Sequence, residues 1–271
     1  MALLILIRGG GDLGSGIALR LYRCGLRVAI AELPKPLVVR RKVSFAEAVY
    51  QNEVTVEGVT ARKVTDPTDT LRMLTVFSKK QIPVAIDPEG ESIQALHPAV
   101  VVDARMLKMR VPLPKTKVNL LIGLGPGFVP GENCHCAVET NRGPLLGRVY
   151  WDGTPEENTG TPEPVMGHVD RVLRAPAQGE LVGLSEIGDI VQVGQVVAEV
   201  NGQPVTSPFT GVLRGLVHSG VVVDSGAKVG DVDPRTDPKL AELVSDKALA
   251  LGGAVLEAIL SRPELRPQLW Q

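Results

Sequence analysis

The chain has 271 residues, enough for one large domain or two smaller ones. Hydrophobic residues make up 44% and aromatic residues 3%, so bulk disorder is excluded and any core must be built from Val, Leu, Ile and Ala. Twenty-nine basic residues against thirty acidic ones give a net charge of −1, which argues against a dedicated nucleic-acid binder.

The apolar start, Met1–Ile7, stops at Arg8. It lacks the charged and apolar regions of a signal peptide and reads as a first strand, buried on both faces. No apolar run approaches the roughly 18 residues needed to span a bilayer. Three cysteines are too few, and odd in number, for a disulfide framework. The expectation is a cytoplasmic protein with no membrane and no nucleic-acid partner.

Gly9-Gly10-Gly11-Asp12-Leu13-Gly14 follows that strand and satisfies G-x-G-x-x-G. A helix is expected from about Gly14 to Cys24, with Ile17, Leu21 and Cys24 on its core side and Gly25 ending it. Arg27–Ala31 is the next strand and leads into Glu32, 18 residues beyond Gly14. In this context the glycines let a pyrophosphate approach the backbone at a helix N-terminus. Glu32 is then expected to read a ribose, favouring NAD-like over NADP-like ligands. Asp12 repels a pyrophosphate, so it is read as a helix cap or a cation holder. Gly9, Gly10, Gly11, Asp12, Gly14 and Glu32 are the candidate cofactor-binding residues.

Arg40-Arg41-Lys42 reads either as a clamp for phosphate or carboxylate or as a solvated basic turn. Ser44-Phe-Ala-Glu47 predicts a capping box opening a short helix to Tyr50. Asp66-Pro67 predicts another helix start, with Leu71, Leu74 and Phe77 facing the core. Pro83–Ile86 is read as a strand, Glu91–His97 as a helix and Ala99–Val102 as a strand. This alternation predicts an open, mostly parallel sheet flanked by helices. Asp87 and Asp103 end its strands, where sites lie in α/β sheets and where helix caps also lie.

Val118–Ile122 starts another strand before the second glycine-rich loop, Gly123-Leu-Gly125-Pro-Gly127. That loop is either a cleft wall or a tight turn. Cys134-His135-Cys136 invites a metal reading, but three ligands this close make poor geometry and no second pair completes a tetrahedral set. Strand residues and no metal are expected. The polar Glu139-Thr-Asn141-Arg142 is a better cleft candidate. Thr154–Pro164 reads as a linker or surface excursion.

From about Gly167 valine and glycine dominate, and an internal repeat appears at an offset of 32 residues. Pro176, Gly179, Leu181, Gly183, Leu184 and Gly188 fall on Pro208, Gly211, Leu213, Gly215, Leu216 and Gly220; Val191, Gly194, Val197 and Val200 fall on Val223, Gly226, Val229 and Val232. Neither unit can bury its own face, so the two should pack into a small closed β structure. The pattern resembles the barrel-sandwich hybrid of biotinyl and lipoyl carrier domains. In those carriers the modified lysine sits on the joining hairpin; here the hairpin is Glu199-Val-Asn201-Gly202-Gln-Pro-Val205, with no lysine. No biotin or lipoyl group is expected. Leu240, Leu243 and Val244, then Leu249, Leu256 and Ile259, mark a tail of two helices, or one kinked helix, divided near Ser245–Lys247 and Gly252-Gly253.

Five strings point to a family: Ile7–Arg23, Val39–Tyr50, Val102–Lys108, Glu139–Gly143 and Ser245–Ala248. Together they resemble the YqeB-type accessory proteins of selenium-dependent molybdenum hydroxylase systems. The resemblance implies a maturation role for enzymes related to xanthine and purine hydroxylases, with the hydroxylase as client partner. It supplies a pathway and no mechanism. Where the family pattern has Asp-Val-His-Ala, this chain has Cys134-His135-Cys136-Ala137, which shifts weight to His135 and away from the cysteines.

The fold expected is α/β: a Rossmann-like domain over 1–165, a barrel-sandwich-hybrid-like module over 166–235 and a helical tail over 236–271 docked on the first domain. The function expected is an accessory protein that binds NAD, a molybdopterin dinucleotide or another small nucleotide-type ligand. An NAD-dependent or selenium-handling enzyme is the alternative, although no Tyr-Lys or His-Asp pair stands ready as its proton donor. A ligand-free scaffold for the client is another. Candidate cleft residues are Arg40, Arg41, Asp103, Arg105, Gly125, Gly127, His135, Glu139, Asn141 and Arg142.

Overall fold

A computed structural model describes residues 3–113, 116–158, 160 and 164–269. The fold is mixed α/β, with one large, mostly parallel sheet, two smaller antiparallel sheets and a C-terminal helix. Two compact units divide the chain. One comprises Met1–Pro36, Phe45–Thr159 and Val244–Gln271; the other comprises Leu37–Ser44 and Gly160–Leu243. Of the stretch read as a linker, Thr154–Pro164, residues 159 and 161–163 lie outside the described residues, and the two units divide between Thr159 and Gly160. Among the described residues no helix is long and apolar enough to cross a membrane.

In the first unit, β1 (Leu4–Arg8), β2 (Arg27–Glu32), β4 (Val59–Val64), β5 (Ile82–Ile86), β6 (Val100–Asp103), β7 (Leu120–Leu124) and β8 (Cys136–Val138) lie parallel in the order β4-β5-β2-β1-β6-β7-β8. Two antiparallel strands close the edges, β3 (Glu53–Val56) beside β4 and β9 (Val149–Tyr150) beside β8. The β3–β4 hairpin escapes a reading based on β-α-β alternation, because its turn at Glu57-Gly58 lies among mixed polar and apolar residues. Continuous apolar runs explain the central strands: Ile5, Leu6 and Ile7 are fully buried, as are Val100, Val101 and Val102.

The helices depart from their sequence readings in instructive ways. α1 (Asp12–Arg23) begins two residues before Gly14. The capping box at Ser44 does not form. The Ser44 hydroxyl donates to the Arg40 carbonyl instead, and a 3-10 turn over Phe45–Glu47 leads into the short α2 (Ala48–Gln51). α3 (Thr70–Ser78) is capped by Asp69, which accepts from Arg72 N; Asp66 holds the preceding turn through Thr68. Its buried residues are Met73 and Val76, while Leu71 and Leu74 are 76% and 52% exposed. The helix carries two apolar stripes, and the sheet covers only one. α4 (Glu91–Leu96) follows β5.

α5 (Asp246–Leu260) is one continuous helix, capped by Ser245, which accepts from Ala248 N. Gly252-Gly253 does not break it. A Cβ on Gly252 would press on Arg20 of α1, and one on Gly16 of α1 would press on Ala248 and Val244. Gly16 pairs with Ala248 and Arg20 with Gly252, so the helices run parallel, and small residues let their backbones approach.

The second unit carries the repeat. One sheet has the order β10-β17-β15-β12 and the other β14-β13-β11-β16. The strands are β10 (Val172–Arg174), β11 (Gly179–Gly183), β12 (Ile190–Val191), β13 (Val196–Val200), β14 (Gln203–Thr206), β15 (Gly211–Leu216), β16 (Val222–Val223) and β17 (Lys228–Asp233). A shift of 32 residues carries β11, β12 and β13 onto β15, β16 and β17, and β10 onto β14. Each sheet is thus the repeat image of the other. The copies also exchange strands, since β12 pairs with β15 and β16 with β11. The Val200–Gln203 hairpin turns through Asn201 and Gly202, both at positive φ, as a type I′ turn requires.

Candidate functional site

The first unit gathers its polar residues at one edge, the carboxyl ends of the parallel strands. β1 ends at Arg8 and passes through Gly9–Gly11 into α1. Gly9 has φ +97°, a conformation that glycine adopts freely, and a Cβ there would touch the Ala104 carbonyl beyond β6. A Cβ on Gly14 would overlap the Gly9 carbonyl oxygen. These two glycines therefore hold the tight strand-to-helix turn.

Gly11 is the N-cap of α1, at φ −64° and ψ −176°, and no side chain caps the helix. The first amides of a helix have no intrahelical acceptors. The positive end of α1 is thus left open beside β1, with Asp12 in its first turn.

The rest of the loop is tied down. Gly9 N donates to the Ala31 carbonyl at 2.8 Å. The Gly10 carbonyl accepts from Ala46 N and from the Ser15 hydroxyl, which in turn accepts from Phe45 N. Glu32 turns onto the loop itself: its Oε2 accepts Gly10 N at 2.6 Å and its Oε1 accepts Leu33 N at 2.7 Å. Burial raises its pKa, against the opposing pull of these two amide bonds. The structure therefore gives Glu32 a loop-holding place, with both oxygens bound to main chain.

Across the strand-order reversal, Asp103 ends β6 and pairs with Arg105, whose Nη2 lies 2.5 Å from Asp103 Oδ2. Arg8 at the end of β1 reaches past β2 to the loop after β5, where its Nη2 donates to the Pro88 carbonyl beside Gly90. Burial and the Arg105 charge lower its pKa, while Asp103, Asp87 and Glu89 pull it up. Asp87 is occupied in capping the next segment, accepting from Gly90 N, Glu91 N and Ser92 N.

Residues 104–109 link the two glycine-rich loops. Ala104 meets Gly9, as above. The Met106 methyl lies beside Gly125, and the Met109 carbonyl blocks any Cβ on Gly127. Met106 and Lys108 both sit at positive φ, a strained conformation for side-chain-bearing residues. Gly125 N donates to the Val138 carbonyl, and its Cα faces the Thr140 hydroxyl. The second loop is therefore part of the same edge.

β8 delivers Glu139, which is fully buried and accepts three amides: Thr140 N and Asn141 N at 2.6 Å, and Glu156 N at 2.7 Å. These bonds shape the turn that presents Asn141, bonded to Glu156, and Arg142. Arg142 forms a two-pronged pair with Asp246 at 2.6 and 2.8 Å. The Arg142 hydrogen bond, above all, lowers the Asp246 pKa to about 2.

Lys247 follows in the first turn of α5. Sequence reading placed it in a family-like string without giving it a role. Its placement carries a physical signal, since a cation near a helix N-terminus opposes the dipole.

Three candidates lie elsewhere. Arg40 donates to the Leu240 and Leu243 carbonyls and Arg41 to the Leu216 carbonyl, all within the second unit. His135 precedes β8 and its Nδ1 accepts from Leu121 N, which places it toward the start of the strands and away from the glycine loops. Burial, then Arg262 and Lys117, lower its pKa. Cys134 and Cys136 are buried, and burial pushes both thiols up to about 12. Among the described residues no three His, Cys, Asp or Glu side chains are grouped to hold a metal ion.

No family model matches the chain. Among solved structures it is similar to an aspartoacylase family protein from Mesorhizobium loti, at 10% identity and a TM-score of 0.27, over 86% of this chain and 85% of that one. Among curated proteins it is 44% identical over 258 residues, 95% of its length, to the uncharacterized protein YqeB of Escherichia coli. Over those residues the chain is YqeB-like in sequence, and it spans about half, 47%, of that relative's length.

Proposed function

We propose that the first unit binds a nucleotide-type ligand through its phosphates at the carboxyl edge of the parallel sheet, and that it does so as an accessory protein of a molybdenum hydroxylase system. The observation that carries the binding reading is the uncapped start of α1, placed where strand order reverses between β1 and β6. In open α/β sheets such a reversal opens a crevice for ligands. The order β5-β2-β1-β6-β7 supports a Rossmann-like reading of this unit, and the interlocked repeat supports a barrel-sandwich-hybrid-like reading of the other.

The accessory reading draws on the family resemblance. Four of its five strings converge on this edge: the glycine loop, residues 102–108, residues 139–143 and residues 245–248. Gly9 meets Ala104, Gly125 meets Met106, Gly16 meets Ala248 and Arg142 meets Asp246, so segments far apart in sequence contact one another along this edge. NAD and a molybdopterin dinucleotide are the ligands this reading favours, and a hydroxylase is its client. With both Glu32 oxygens held by main chain, Glu32 serves the reading by fixing the loop.

The test is a thermal-shift panel of NAD, NADP, ADP, CTP and a molybdopterin dinucleotide preparation. A ligand at 100 times its Kd adds about 2.7 kcal/mol of stability. A shift that Gly11→Val erases supports the reading. A flat panel across all five overturns it.

A further inference from the structure

The two sheets of the second unit are repeat images with unlike surroundings. Along β15, Val39 lies against Gly215, and Arg41 Nε donates to the Leu216 carbonyl at 2.7 Å. Both belong to Leu37-Val-Val-Arg-Arg-Lys-Val-Ser44, an apolar and basic segment of the same unit. Leu216 is 2% exposed there. On the same strand Arg214 sits between Asp231 and Asp233, and Arg171 joins it at Asp231.

The 32-residue shift sets β11 against β15, with a different outcome. Leu184, the counterpart of Leu216, is 54% exposed. Val182 stands where the other copy has Arg214, and Glu199 where it has Asp231. Val182 pairs with Glu199, Glu199 with Pro204, and Glu180 with Val222, so these side chains share one face of the sheet. Leu181 and Val200 pair on the opposite face, and both are fully buried. Val182 and Val222 are 48% and 64% exposed. Between Arg174 and Arg214 the sequence has no lysine, arginine or histidine, whereas Glu180, Glu186, Asp189 and Glu199 are acidic. Among the described residues neither Glu180 nor Glu199 forms an ion pair.

An exposed apolar face that carries acids of one sign suits a partner bringing apolar contact and positive charge together. The chain itself shows that chemistry on the image strand, where an apolar and basic segment lies along β15. We propose that the outer face of the β14-β13-β11-β16 sheet docks an extended apolar and basic segment of a partner protein. Its apolar side chains cover Val182, Leu184 and Val222, and its Lys or Arg groups meet Glu180 and Glu199. The inference concerns the second unit alone and does not rest on the nucleotide reading.

The probe is the peptide Leu-Val-Val-Arg-Arg-Lys-Val, and the control is Leu-Val-Val-Glu-Glu-Asp-Val. Each is titrated into the isotope-labelled full chain and followed by NMR. The basic peptide is expected to shift amide resonances of β11, β13 and β16, and added salt to weaken it. The control should bind about tenfold more weakly, and Glu199→Lys should weaken the basic peptide by about as much. Val182→Ser should weaken it as well. Shifts confined to β15, equal binding of the two peptides, or no binding of either overturn the assignment. So does unchanged binding in Glu199→Lys. Sedimentation of the chain alone tests the other occupant: a dimer that Val182→Asp disperses assigns the face to a second copy and overturns the partner reading. Peptide-free melts verify that the variants fold, and Glu180→Lys serves where Glu199→Lys does not.

Discussion

The carboxylate of Glu32 accepts the amide of Gly10 at 2.6 Å, so the end of β2 holds the loop that follows β1. A second oxygen accepts Leu33 N, and the side chain is buried. An acidic residue at this place in a G-x-G-x-x-G unit is expected to face a ribose. Here it stabilises the turn that leaves the start of α1 open.

Replacing Glu32 by Gln sets an NH2 group against one of two main-chain donors. The unfolding free energy should fall by about 1–3 kcal/mol, the cost of a buried donor left unpaired. The pH dependence gives a second readout. The folded chain holds the Glu32 proton more tightly than the unfolded chain does, so this group lowers stability as pH rises above the ordinary glutamate range. Denaturant melts between pH 4 and 8 should show that slope in wild type and its loss in the variant.

Two glycines of the same loop should respond oppositely. Gly14→Ala drives a methyl into the Gly9 carbonyl, so the chain should lose stability without any ligand present. Gly11 has an ordinary extended backbone that an L side chain adopts without strain. Gly11→Val should melt within a few degrees of wild type yet cover the open amides. Melting with and without NAD distinguishes them: a Gly11→Val chain with the full wild-type shift contradicts the assignment of the anion site.

Much of this edge is legible in sequence because its signals are local. A continuous apolar run, a glycine turn and a strand ending in an acid place Gly9–Gly14 and Glu32 together. The direction of Glu32 is not legible, since Gly10 competes for it only once β1 and β2 pair. α3 shows the same limit: Leu71 and Leu74 share one helical stripe, Met73 and Val76 another, and the sheet alone decides which is covered. Gly252-Gly253 looks like a break in isolation, and its use appears only when α1 lies against it.

Cysteine chemistry should follow burial. With their thiols pushed up to about 12, Cys134 and Cys136 carry almost no thiolate at pH 8. Cys24 is only partly buried, at the end of α1. Iodoacetamide should label Cys24 in the native chain and reach the other two only after denaturation, as mass spectrometry of the peptides would reveal. Rapid native labelling of Cys136 would contradict the packing of β8 against β7.

The Arg142–Asp246 pair contributes stability only where Asp246 is ionised. Its folded pKa, about 2, lies below the unfolded value, so the contribution is full above that unfolded value and fades as pH falls toward 2. The Asp246 side chain is 75% exposed, and solvent screening limits the effect to at most about 1 kcal/mol. Arg142→Gln should therefore barely change the melt at pH 7. A carboxyl-detected NMR titration should show Asp246 returning toward the ordinary aspartate range.

The second unit contains a denser charge network and should be far less tolerant. Asp231 and Asp233 are both 1% exposed on β17. Arg214 of β15 bridges them, with Nη2 at 2.5 Å from Asp231 and Nη1 at 3.1 Å from Asp233. Arg171 also bonds Asp231, on its other oxygen, and Arg235 holds Asp233 through both Nε and Nη2. The 32-residue repeat sets Val182 against Arg214, and Glu199 and Asn201 against the two aspartates, so the network belongs to one copy only. Removing Arg214 leaves two buried carboxylates short of charge. Arg214→Met should cost about 3–5 kcal/mol, the usual penalty for breaking a buried ion pair on one side. The triple change Arg214→Met, Asp231→Asn, Asp233→Asn should recover part of that loss by removing the stranded charge. Denaturant melts of wild type, single and triple variants decide the matter: a single variant within 1 kcal/mol of wild type would show that Arg171 and Arg235 compensate β17 without Arg214.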